Sequence, residues 1–143
     1  MGGFTNAVET AVLDDFTGKA AYTPPAAIYV GVSTTLPTEA GANFTEPSGG
    51  AYTRFPCTAA TWTAATAGDP SSTSYGAQVT YPQATGGWGT LTHFGLFSVK
   101  TPSTGLPHFW GTLTVAKAIQ TSDTASFAAN TLFAKLGDPT DSF

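Results

Sequence analysis

Few side chains in this 143-residue chain are equipped for acid–base, nucleophilic or metal chemistry. There are two histidines, His93 and His108, and one cysteine, Cys57. His93 stands among Leu91, Phe94 and Leu96, and His108 precedes Phe109 and Trp110. Two imidazoles with a carboxylate are a workable metal set. No HxH, CxxC or HExxH spacing is present, so both read as satisfied core or interface histidines. The acids Glu9, Asp14, Asp15, Glu39, Glu46, Asp69, Asp123, Asp138 and Asp141 fall mostly in one helix and in loops. Nothing selects two of them as a hydrolytic pair held about 5–10 Å apart in a cleft. Asp14 and Asp15 read as the solvated side of the helix. Cys57 follows a proline and has no neighbouring base, so it reads as a small buried hydrophobe. The GxSxG turn is missing. Gly86-Gly87-Trp88-Gly89 lacks the Lys-Ser/Thr of a phosphate loop and opens a strand where phosphate binding requires a helix. The expectation is a protein with no catalytic residue, no cofactor and no metal.

Composition agrees. Charged residues are 10% of the chain and the net charge is −4. Five Lys and Arg cannot form a large basic patch, which excludes a phosphate-tracking nucleic-acid binder and a polybasic membrane anchor. No apolar run approaches the length of a spanning helix, and Met1 to Glu9 lacks the basic and apolar regions of a secretory signal. A lone cysteine forms no intrachain disulfide. The polar surface is built from Thr, Ser, Asn and Gln, and so offers little charge repulsion against copies or partners.

The elements that must position these groups are mainly strands. Residues 6–17 form the one clear helix, with Asn6 as cap, Glu9 at capping-box spacing, and Gly18 as stop. Val8, Val12 and Phe16, with Leu13 beside them, make its apolar stripe. Pro24-Pro25 is an extended connector. Strands are expected at 26–33, 51–58, 77–81, 90–99, 108–115 and 126–136, with Lys117–Gln120 extending the fifth or opening another. Ala67–Ser74 reads as a turn-rich loop. Thr34–Gly50 is longer than an ordinary connector and is a candidate contact arm. In the 90–99 segment both phases are apolar, Leu91, Gly95 and Phe97 on one and Phe94 and Leu96 on the other, so it must be covered on both faces. The fold class is mainly β, an antiparallel β-sandwich or small barrel with one short N-terminal α-helix. The expected organisation is a single domain over 1–143: helix 6–17, β module 26–136, flexible tail 137–143.

Four blocks in order resemble a known group. They are Ala-Tyr-Thr-Pro-Pro-Ala-x-x-Tyr-Val-Gly-x-Ser-Thr at 21–34, Glu-Pro-Ser-Gly-Gly-x-Tyr-x-Arg at 46–54, the most specific block at Tyr81–Phe97, and Gly-x-Leu-Thr-x-x-Lys-x-Ile at 111–119. An Asn-x-x-Glu helix start at Asn6 precedes them and Ser-Phe-Ala-Ala at 126–129 follows. The chain resembles the small virion structural proteins of tailed bacteriophages, often labelled tail fibre or minor structural proteins. The resemblance implies a virion component made in the host bacterial cytoplasm. It implies a decoration (cement) protein on the outer surface of the capsid, or else a tail-fibre or baseplate module. The implied partners are the major capsid protein or other virion proteins, with self-association as a homo-oligomer, a trimer. The contact residues expected on that basis are Val8, Val12, Phe16, Pro24, Pro25, Leu36, Phe44, Trp88 and Phe143. Removing residues 1–18 is expected to leave a foldable sheet.

Overall fold

The computed structural model describes residues 2–68 and 70–136. Phe143 and the expected tail over 137–143 lie outside them. The helix α1 spans Asn6–Phe16. Its cap is Thr5, not Asn6: the Thr5 carbonyl accepts from the Val8 and Glu9 N–H groups, and no side chain caps the end. The Asn6 N–H instead donates to the Glu39 carbonyl at 3.1 Å, so the capping-box spacing is out of frame by one residue. The stop is as expected. Gly18 takes φ +71°, its N–H donates to Asp15 O, and the Lys19 N–H donates to Asp14 O at 2.8 Å. That pair of bonds is the Schellman closure, which favours glycine because its φ is positive.

Five strands form one antiparallel sheet: β1 Gly3–Phe4, β2 Ile28–Ser33, β3 Phe55–Cys57, β6 Gly89–Phe97 and β7 Phe109–Ile119, in the order β1-β7-β6-β2-β3. Two short ribbons complete the fold, β4 Ser71–Ser74 with β9 Phe133–Leu136, and β5 Val79–Thr80 with β8 Ser126–Phe127. The mainly antiparallel β expectation holds. Two strands were not foreseen: β1, two residues long, and β4, which lies in the stretch expected to be loop. The expected 126–136 strand is two strands parted by a turn in which Asn130 takes φ +60°. Pro56, which has no N–H to give, sits in the edge strand β3.

Register assigns the faces. Val30 opposes Leu96 and Val32 opposes Phe94, while Gly31 opposes Gly95 and Tyr29 opposes Phe97. Val30, Val32, Phe94, Leu96 and Phe109 therefore look into the main core, where Tyr81, Trp88, Ile119 and Leu132 join them. Leu91 joins them too, against the strict alternation expected. The β6–β7 register breaks between Leu91 and His93, which moves Leu91 onto the Phe94 side. At that break β7 passes from Thr112 to Lys117 while β6 passes from His93 to Leu91, so Leu113–Ala116 have no cross-strand partner. Tyr81 ties the core layer to the sheet by donating its hydroxyl to Val30 O at 3.0 Å.

The opposite sheet face is also covered, by this chain itself. Phe44 packs edge-on against Phe97 with ring centroids 5.1 Å apart. A Cβ on Gly95 would lie 2.7 Å from the Phe44 ring. The 34–50 segment is thus a cover for the sheet over much of its length. Residues 1–18 are not separable from the sheet either. β1 pairs with β7, Phe4 packs edge-on against Phe109 at 5.2 Å, and Val8 is buried. Removing them would therefore take an edge strand and these two apolar contacts from the sheet.

Candidate contact surfaces

Chemistry-bearing residues do not converge. Among the described residues no three His, Cys, Asp or Glu side chains gather as a metal-holding group. His93 is buried beside Trp110, with its Nδ1 2.7 Å from Thr92 Oγ1. Burial lowers the pKa of both His93 and His108 from the ordinary histidine value. The Cys57 thiol is buried and its pKa is pushed up to about 12, which leaves it a poor nucleophile.

One charged constellation does exist, and it is structural. Glu46 and Arg54 form a buried ion pair, Nη2 to Oε2 at 2.8 Å and Nε to Oε1 at 2.9 Å. Glu46 also accepts from the Tyr52 hydroxyl at 2.7 Å and from the Ser103 N–H at 2.6 Å. Arg54 donates to the carbonyls of Val99 and Thr104 at 2.8 and 3.0 Å, and its guanidinium lies 3.4 Å from the Phe97 ring centroid. Burial first, and the Glu46 charge second, raise the Tyr52 pKa well above the phenol value, so Tyr52 stays a donor. Gly31 leaves the room, since a Cβ there would lie 2.7 Å from Glu46 Oε1. The network fastens the 46–54 loop and the 99–104 turn to one sheet face. Next to it, Trp88 donates Nε1–H to Gly50 O at 2.8 Å. Glu46, Gly50, Tyr52 and Arg54 are among the fixed positions of the 46–54 block, so the signal was present in the sequence without its pairing.

These locking residues belong to the blocks that carry the resemblance, which makes the family a question about the whole fold. A family model described as podophage GP4 fiber I protein gp80 matches residues 3–135. The chain belongs to this family. No curated protein matches it. The match spans the helix, all nine strands but the last residue of β9, and both sheet-covering layers. The fibre-family protein is a structural component of the tailed-phage virion. No helix among the described residues is long and apolar enough to cross a membrane.

The expected contact residues divide in this fibre-family fold. Val8 and Trp88 are buried in the chain's own interior, and Phe44 and Pro25 are half-buried. Pro24, Leu36, Val12 and Phe16 are exposed. On α1 only Val8 is buried; Val12, Leu13 and Phe16 are 40%, 62% and 87% exposed. The stripe read from the sequence turns one residue inward and leaves the rest uncovered. A second apolar surface had no sequence signal. It is a groove between the partnerless part of β7 and the strands β8 and β9, formed by adjoining depressions of about 410 and 380 Å3 that share Phe94, Leu113 and Thr131.

Proposed function

We propose that this chain is a subunit of a tail-fibre assembly, acting by protein–protein contact and not by catalysis. The observation that carries the reading is the match of residues 3–135 to a podophage fibre family. The geometry supports it in two ways. The polar and titratable groups with the strongest partners are spent on fastening loops to the sheet. Apolar surface is left uncovered on the α1 stripe and at the β7 groove wall. Burying such surface stabilises an assembly by about 25 cal/mol per Å2, repeated at every symmetry-related contact.

Capsid decoration, with the major capsid protein as partner, is the second reading. It is favoured by a sequence that shows no repeat and no heptad run of the kind that builds a long shaft. Counting copies in purified particles separates the two. A fibre subunit is present in a few to some tens of copies and is seen at the tail by imaging of labelled virions. Hundreds of copies spread over the head would replace the fibre reading with decoration. Turnover of a cell-wall polymer by the purified chain, lost on changing His93, would overturn both.

A further inference from the structure

We infer that the α1 stripe of one copy docks in the β7 groove of a second copy, so that the chain self-assembles head to tail. This inference does not depend on whether the particle's head or tail carries the chain.

The two surfaces match each other in hydropathy and charge. The stripe consists of Val12, Leu13 and Phe16, at the i, i+1, i+4 spacing of a helix face. Glu9 lies on the same face, three residues before Val12 and four before Leu13, and Asp14 and Asp15 flank it. Lys19, just past the helix end, is the one cation of the segment, against three acids. The groove is lined by aromatic and aliphatic groups, among them Phe94, Leu113, Phe127 and Phe133, interspersed with the hydroxyl residues Thr112, Thr114, Thr124, Ser126 and Thr131. Its charged lining residues are Lys117 and Lys135, and no carboxylate lines it among the described residues. Arg54 being buried in its own ion pair, these are two of the chain's four other cations. The nearby Asp123 carboxylate is turned to its own turn, accepting from the Gln120 N–H at 2.8 Å. An acidic, apolar helix face therefore meets a lysine-edged apolar groove. An amphipathic helix laid in an apolar groove is an established recognition mode.

The two surfaces belong to different elements of the fold. β1 runs antiparallel to β7, with Gly3 opposite Trp110 and Phe4 opposite Phe109. The chain therefore leaves β1 for α1 at the start of β7, where the Thr5 N–H donates to His108 O. The groove runs from the start of β7, where Gly2, Phe109 and Gly111 line it, to Leu113 and Val115 in the middle of the strand. Val115, on the groove wall, is 75% exposed. Two different complementary patches on one chain make a heterologous contact, which closes into a ring or continues as a filament.

The test uses the full chain and two variants, Phe16→Asp in the helix and Val115→Asp in the groove wall. Both side chains are exposed, so both variants should keep the wild-type circular dichroism and unfolding midpoint. Sedimentation should show oligomers for the wild type and monomers for each variant alone. Mixing the two variants should give a dimer, because an intact groove on one still meets an intact helix on the other. Glu9→Lys should weaken wild-type assembly several-fold, and Lys117→Glu/Lys135→Glu on the groove partner should restore it. A monomeric wild type at every concentration reached would overturn the inference. So would variants that assemble normally, or variants whose mixture stays monomeric.

Discussion

At the residue scale the energetics centre on Glu46 and Arg54. Both charges are buried, and each is surrounded by the partners that make burial tolerable: Tyr52 and Ser103 for the carboxylate, two carbonyls and the Phe97 ring for the guanidinium. Removing one partner strands the other in a medium of low polarisability. Arg54→Ala should cost about 3–5 kcal/mol, read from urea unfolding. Replacing both residues by methionine should cost less than either single truncation, since no charge is left unpaired. A double variant less stable than both singles would show that the pair contributes more than mutual neutralisation. The histidines set a pH dependence. Burial lowers the native pKa of His93 and His108, so between those values and about 6.5 the unfolded chain binds more protons. Stability should therefore be full above that window and fall as the pH is lowered through it. His93→Gln/His108→Gln should flatten the decline in the unfolding midpoint.

Elements inherit their limits from single positions. α1 ends where Gly18 turns left-handed, and a Cβ there meets no atom within 4 Å. Gly18→Ala should thus cost only its backbone strain, about 1–2 kcal/mol. A larger loss would mean that the helix end is packed against something else. β7 is straightforwardly paired at its two ends and partnerless between, over Leu113–Ala116. That irregularity does two things. It moves Leu91 into the core beside Phe94, and it holds Val115 out at the groove wall. The 34–50 segment is long because it must cross a sheet face and bring Phe44 and Glu46 to it, and length here reflects a cover more than a free arm.

For the whole molecule, the sheet is dressed on both faces by its own chain, and large apolar side chains stay exposed on α1 and at the groove wall as well as at Leu36, Val99, Leu106 and Leu136. A protein arranged this way is stable as a unit and incomplete as a surface. Phe16→Asp should therefore leave the unfolding midpoint unchanged and strongly reduce the amount of the chain in purified particles, measured by quantitative mass spectrometry. Normal incorporation would remove the helix from the contacts that hold the subunit in the virion. Truncation of residues 1–18 is the weaker experiment, because it also strips β1 and Phe4 from the sheet edge.

Properties set by near neighbours were legible in the sequence. The helix over Asn6–Phe16, its stop at Gly18, the alternation in β2 and the long hairpin of β6 and β7 follow from spacing, glycine and β-branched content, all local. The family blocks were legible as recurring residues, but not as an ion pair, because Glu46 and Arg54 meet only after the loop has crossed the sheet. Partners separated by long loops are chosen by burial and by the need to satisfy buried polar groups, which no short window of sequence contains. The same holds for three of the corrections to local reading: Thr5 in place of Asn6 as the helix cap, Leu91 on the core side, and a helix stripe of which only Val8 is covered. In each, a distant carbonyl, a register break or a sheet edge decided between local choices of nearly equal energy.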